Sequence, residues 1–201
     1  KDTVLAYPEL LQGASEGIDL DPLRLDASFT AVLPHMHQER YKALLRISDG
    51  KGTGTLSYEL PFTVEADREL KIATKKLAYD HIYLWNQSQE KIVTAGQVEQ
   101  SETLLLMLEG ISGMREDSGR VYPALSLHIT DKDGRQIISS DNLLTQYTQA
   151  GLDAQAFTTG KLPVSIQFTA GQIQNPCTLK ALFSDSRSDA QIQIERVISV
   201  M

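Results

Sequence analysis

Short stretches in which apolar and polar residues alternate fill most of the chain, and a period of two residues is typical of half-buried β-strands. Residues 40–47 and 56–64 alternate in this way, and the glycine-rich segment 48–54 lies between them. Two alternating stretches on either side of such a loop predict a β-hairpin. Pro61 falls on the polar side of the second stretch and predicts an edge strand, because proline cannot donate a hydrogen bond to a neighbouring strand.

The order of elements near the start of the chain recurs near its end. Residues 7–64 and 140–200 each contain a short capped segment, an alternating stretch, a Ser-Asp pair and a final alternating stretch. Identities are few, but the order and the apolar parity agree, as expected of a diverged structural repeat. Residues 42–44 can be aligned with residues 180–182 or with residues two positions away. A shift of two residues leaves every side chain on the same sheet face.

Each copy predicts one short helix. In the first copy, Pro8 stands at a first helical position and Gly17 follows the end of the helix. In the second copy, Ser140 or Asp141 is the predicted cap and Gly151 is the predicted stop.

Residues 67–201 hold roughly eight or nine predicted strands with turn signals between them. This pattern predicts a mainly β fold, a complete immunoglobulin-like antiparallel β-sandwich. Residues 1–66 match only the later half of that domain, so they predict a partial repeat with an open apolar face. Three arrangements would close this face: strands upstream of Lys1, which we favour, packing against the second domain, or association of two chains at the open edge.

Composition and charge narrow the classes of function. The net charge of -7 and the pI near 5.1 argue against a nucleic-acid partner, because phosphate binding needs clustered lysine and arginine. No apolar run approaches the roughly 18 residues that a membrane helix needs. Cys177 is the only cysteine, which excludes an intrachain disulfide. Its place at the start of an apolar strand predicts a buried, inert thiol.

Residues 110–123, followed by the segment 126–134, a capped helix and an alternating hairpin, resemble immunoglobulin-like domains of uncharacterised secreted bacterial lipoproteins. The resemblance covers residues 67–201 and, in fragment, residues 1–66. It implies a periplasmic or extracellular protein at the bacterial envelope, anchored to the outer membrane only through a lipid attached outside this chain. No catalytic residue belongs to these segments, so the implied function is a non-enzymatic binding or adhesion module with a protein or glycan partner.

An aromatic stripe offers one candidate ligand site. Tyr83 and Trp85 share a strand face with His81, while Ile82 and Leu84 take the other face. If the core buries the aliphatic pair, the rings face outward and can stack on sugars, as in a carbohydrate-binding accessory protein. The alternative is that the stripe packs in the core or in a contact between domains.

Two short segments offer metal ligands. His35 and His37, with the methionine between them, can meet a soft transition metal such as copper if a turn brings them together. Asp131 and Asp133, which precede a glycine, resemble the opening of a calcium loop. The alternatives are an exposed polar loop and an ordinary hairpin turn, respectively.

A long charged loop, residues 110–119, is the remaining candidate binding element, with Met114 and Arg115 at its centre. No hydrolase, phosphate-binding or dinucleotide-binding motif is present in the sequence. A hydrolase would therefore need a site that is assembled in space around one of the four histidines. We predict that the chain is not an enzyme.

Overall fold

A computed structural model describes residue 6 and residues 40–63, 69–94, 96–168, 171 and 173–201. The chain divides into two compact units between residues 33 and 34, and every described element belongs to the second unit. Strand residues make up 57% of the described residues and helical residues 8%, so the predicted mainly β class is confirmed. The predicted domain boundary between residues 66 and 67 falls outside the described ranges and stays a prediction.

The first two described strands form an antiparallel hairpin, β1 (Arg40–Ser48) and β2 (Thr55–Thr63). Tyr41 lies opposite Phe62 and Ile47 lies opposite Leu56, which places most apolar residues of both strands on one face, whereas Leu44 lies on the other. Within the described chain, these strands pair only with each other. The predicted hairpin is therefore confirmed, and its loop, residues 49–54, falls within the predicted segment 48–54.

The other strands form two main sheets. The larger sheet has the order β10 (Gln136–Ser140), β9 (Pro123–Thr130), β13 (Cys177–Asp185), β14 (Gln191–Val200) and β3 (Leu70–Lys75), and β6 (Gln97–Val98) runs parallel to the end of β14. The smaller sheet has the order β12 (Lys161–Gln167), β7 (Thr103–Glu109), β4 (His81–Asn86) and β5 (Lys91–Ile92). A short ribbon pairs β8 (Arg120–Val121) with β11 (Leu152–Asp153).

Both main sheets bury one face in a common hydrophobic core. Alternate residues of each strand supply it, because successive side chains in a strand point to opposite faces. The largest fully buried apolar side chains come from both sheets: Leu84, Leu104, Leu106, Leu108, Leu125, Leu127, Ile129, Ile166, Leu179, Phe183 and Ile192. Cys177 begins β13 and is fully buried in the same core, as predicted. Burial and the nearby Asp131 carboxylate raise the pKa of this thiol, which keeps it protonated.

The connection between β10 and β12 contains α1 (Thr145–Ala150), which ends at Gly151 as predicted. Gly151 has a φ of 72°, a conformation that favours glycine. The predicted cap, Ser140 or Asp141, was wrong, because the N-cap position is Leu144, which has no side-chain cap; the side chain that bonds to its backbone is Asn142. Its Oδ1 accepts a hydrogen bond from the Leu144 N–H at 2.9 Å.

A second helix, α2 (Ala154–Thr159), follows after β11, so the prediction of one helix in this segment was wrong. Asp153 caps it, because its Oδ1 accepts a hydrogen bond from the Ala156 N–H at 2.8 Å. The segment has no apolar period that would have marked it as helical. Phe157 stacks on the core residue Phe183 with a centroid distance of 6.0 Å, and this tertiary contact helps to fix α2 in place.

We predict a large difference between two leucine truncations. Leu84→Ala removes a fully buried side chain, and we expect the free energy of unfolding to fall by about 2–5 kcal/mol. Leu44→Ala changes an exposed side chain of β1, and we expect a change within about 0.5 kcal/mol. Urea unfolding followed by circular dichroism measures both, and equal losses would contradict the assignment of the core.

Candidate functional site

The smaller sheet carries the aromatic stripe on the face that points away from the core. Ile82 and Leu84 are buried in the core, whereas Tyr83 and Trp85 are not part of it. We use the name outer face for the side chains of β4, β5, β7 and β12 on this side: His81, Tyr83, Trp85, Ile92, Thr103, Leu105, Met107, Glu109, Lys161, Pro163, Ser165 and Gln167. The burial of Ile82 and Leu84 on one face of β4 therefore agrees with the alternation of residues in the sequence.

The two aromatic residues differ in accessibility. Tyr83 is only 9% exposed, and its hydroxyl donates a hydrogen bond of 2.7 Å to Glu109 Oε1. Trp85 is half-buried, and no described residue accepts a hydrogen bond from its indole N–H. Trp85 is therefore the more exposed of the two aromatic residues of the outer face.

A polar row crosses three strands of the outer face. Glu109 on β7 lies in register between His81 on β4 and Lys161 on β12. Glu109 Oε1 accepts from the Tyr83 hydroxyl and also forms an ion pair of 2.9 Å with Lys161 Nζ. Burial alone would raise the pKa of Glu109, but these two hydrogen bonds and the nearby positive charge lower it overall. The carboxylate is therefore held ionised.

Burial is also the main cause of the raised pKa of the Tyr83 phenol, and the Glu109 hydrogen bond and charge add to it.

The sequence interpretation missed both Glu109 and Lys161. The apolar run 103–108 ends at Glu109, but only the register of three strands shows which residues become its neighbours. That register is not visible in the sequence of a single strand.

The predicted calcium ligands lie in the turn between β9 and β10. The buried Asp131 carboxylate accepts from the backbone N–H groups of Asp133, at 3.1 Å, and Arg135, at 3.0 Å. Its other oxygen accepts from Arg135 Nε at 3.1 Å. These bonds overcome the effect of burial and lower the pKa of Asp131. They give Asp131 a role in holding the turn, and calcium binding stays a prediction.

The loop after β7 is attached to the end of β13 in the larger sheet. Met114 packs against the core, and the Arg115 N–H donates a hydrogen bond of 2.8 Å to Asp185 Oδ2. Asp185 is buried and also accepts from Arg187 N–H, at 2.9 Å, and Ser188 Oγ, at 2.7 Å. The loop is therefore fastened by its backbone, and its two predicted ligand residues do not share the outer face with Trp85.

The predicted soft-metal ligands, His35 and His37, lie outside the described residues. Within the described ranges, no group of three or more His, Cys, Asp or Glu side chains is arranged to hold a metal ion.

One histidine does meet a serine and a carboxylate. On the solvent face of the larger sheet, His128 Nδ1 lies 3.1 Å from Ser139 Oγ, and Nε2 lies 3.9 Å from Asp141 Oδ1. The second distance is too long for a hydrogen bond, and the Asp141 side chain is 99% exposed. A nucleophilic serine needs a base that a third group orients. His128 and Ser139 are cross-strand partners, which explains their contact without catalysis.

The hairpin of β1 and β2 exposes an apolar face. Leu56, Tyr58 and Leu60 are 62%, 58% and 50% exposed, and Leu45 is exposed beside them. On the opposite face, Lys42 Nζ and Glu59 Oε2 form an ion pair of 2.8 Å.

No protein-family model matches the chain, and no curated protein sequence matches it. Among the described residues, no helix has the length and the apolar character needed to span a membrane.

We predict that Tyr83 makes the fold sensitive to alkali. Its pKa is raised in the folded state, so above about pH 10 the unfolded chain loses the phenolic proton first. The free energy of unfolding should then fall by up to about 1.4 kcal/mol per pH unit. Tyr83→Phe should remove this contribution in urea unfolding between about pH 9 and 11. Tyr58→Phe, on an exposed ring, should keep the wild-type slope.

Asp131→Asn should lower the melting temperature at neutral pH, because the amide cannot replace the carboxylate as acceptor for all three donors. The lowered pKa of Asp131 means that its contribution is present above the unfolded pKa, near 3.9, and is lost as the pH falls through the folded value. The variant and the wild type should therefore converge in acid. Asp133→Asn, which changes an exposed side chain, is the control. A calcium-dependent rise in the wild-type melting temperature would instead support the metal hypothesis.

Proposed function

We propose that this chain is a non-enzymatic, immunoglobulin-like binding module that takes up an extended strand of a protein partner along the hairpin of β1 and β2. The observation that carries the proposal is the exposed apolar face of this hairpin. A two-stranded hairpin is marginally stable in water by itself, and contiguous exposed apolar residues mark interaction sites. Leu45, Leu56, Tyr58 and Leu60 supply such a face.

The hairpin of β13 and β14 supports this assignment, because it has the same alternation of apolar residues but lies inside a larger sheet. Ala43 lies opposite Leu60, as Ala181 lies opposite Ile194. The later hairpin has a neighbouring strand at each edge, and its apolar side chains belong to the common core. Within the described chain, the earlier hairpin has neither neighbouring strand. An added strand would supply hydrogen bonds to one of these edges.

Charge indicates the chemistry of the added strand. Arg40 and Arg46 project from β1 on the side opposite the apolar face, and Lys42 on the same side is paired with Glu59. A strand paired with β1 would place alternate side chains beside these cations and the others beside the apolar face. The partner segment should therefore alternate apolar with acidic residues.

The finer description of the fold belongs to the same proposal. Two antiparallel sheets that share one core support a two-sheet sandwich in residues 67–201. The resemblance to envelope lipoproteins supports a location outside the cytoplasm and an adhesion role.

A labelled peptide of four Val-Glu repeats tests the proposal by fluorescence anisotropy. We expect binding that weakens with added salt, and at least tenfold weaker binding of a Val-Lys peptide. Leu45→Asp and Arg46→Glu should each weaken binding of the Val-Glu peptide at least tenfold, because they oppose its apolar and acidic residues, respectively.

Val197→Asp is the matched control, since Val197 is an exposed apolar residue on a strand of the larger sheet. It should bind the peptide like the wild type. Equal binding of the acidic and basic peptides, or equal losses in the control and hairpin variants, would overturn the proposal.

A further inference from the structure

The outer face of the smaller sheet combines an apolar floor with polar groups that have unused hydrogen-bonding capacity. Leu105 and Met107 on β7 are half-buried beside the aromatic residues of β4, and Ile92 lies opposite Trp85. Ligand sites are mostly apolar, with a few polar groups that fix orientation. The outer face has this composition, and it lies on paired strands whose positions are fixed by the core.

Polar groups on Glu109, His81 and Trp85 remain available to a ligand, and the exposed Ser165 lies on the same face. Glu109 Oε1 already accepts two hydrogen bonds, but no described residue donates to Oε2. Within the same described ranges, no residue forms a hydrogen bond with either ring nitrogen of His81. The indole N–H of Trp85 also has no acceptor there. These groups provide one carboxylate acceptor, one indole donor and an imidazole that can do either.

The spacing of these groups sets the size of a ligand. His81 and Trp85 are four residues apart on β4, a distance of roughly 13 Å along a strand. Glu109 lies directly beside His81 on the neighbouring strand. A ligand that contacts both Trp85 and Glu109 must be longer than one sugar ring.

We propose that the outer face binds a neutral oligosaccharide. The indole of Trp85 stacks on the apolar face of one sugar ring, and Glu109 Oε2 accepts hydrogen bonds from the hydroxyls of another. Sugar rings have apolar faces and hydroxyl edges, which match an accessible aromatic ring beside a free carboxylate oxygen. The site is separate from the hairpin and does not rest on the function proposed for it.

The charges of the row favour a neutral ligand. Lys161 forms an ion pair with Glu109, so the two charges largely offset each other. Tyr83 and Lys161 are positioning residues, because both bond to Oε1, and no described residue donates to Oε2.

Intrinsic fluorescence tests this inference at the site itself, because Trp85 is the only tryptophan of the chain. The probes are trisaccharides of β-linked glucose, xylose and N-acetylglucosamine and of α-linked mannose, titrated up to about 10 mM. At least one should shift the Trp85 emission and protect it from acrylamide quenching. The matching monosaccharide should bind at least tenfold more weakly, since it cannot reach both groups.

Variants separate stacking from hydrogen bonding. Glu109→Gln keeps the fluorophore and should weaken trisaccharide binding at least tenfold, because the amide presents one acceptor instead of two. Trp85→Phe, followed by calorimetry, should bind more weakly than the wild type, and Trp85→Ala should not bind. Circular dichroism melting confirms that each variant is folded. Glu195→Gln, on the solvent face of the larger sheet, should leave binding unchanged.

The absence of any emission change across all the trisaccharides would overturn the inference. Binding that survives in Trp85→Ala, or that is lost equally in Glu195→Gln, would also overturn it. Loss of peptide binding in the hairpin variants with trisaccharide binding retained would show that the two surfaces act independently.

Discussion

The burial of one face of each main sheet in a single core is the interaction on which the rest of the structure depends. Alternation places Leu84 in the core and Trp85 on the opposite side, so the same period that builds the core also decides what the outer face displays. A shift of one residue in the pairing of β4 would exchange the two faces. The candidate ligand surface is therefore defined by the packing of residues that never touch a ligand.

The sequence predicted the features that depend on local pattern. The mainly β class, the hairpin at residues 40–63, the buried thiol of Cys177 and the stop at Gly151 all follow from alternation or from the preferences of single residues. The helix α2 was missed because its segment lacks an apolar period and is held by Phe157 against a strand distant in sequence. Glu109 was missed because its significance comes from neighbours on two other strands.

Buried carboxylates hold the loops at the ends of the sheets. Asp131 closes the turn before β10, and Asp185 ties the loop after β7 to the end of β13. Glu102 accepts from the Glu99 N–H at 2.8 Å and from the Gln89 side chain, which joins two further turns. In the turn at Asp131, two backbone N–H groups and the Arg135 guanidinium bond to the carboxylate oxygens.

The position of β14 has a consequence for how the protein reaches its fold. Leu70 at the start of β3 pairs with Arg196 of β14, so this edge of the larger sheet joins segments that are synthesised far apart in time. Pairing of distant segments slows folding, because the closure of a long loop precedes the contacts that reward it. Until β14 emerges, β3 and β13 each present an unpaired edge to the surroundings. The partly synthesised chain is therefore more prone to aggregation before β14 is available for pairing than after it.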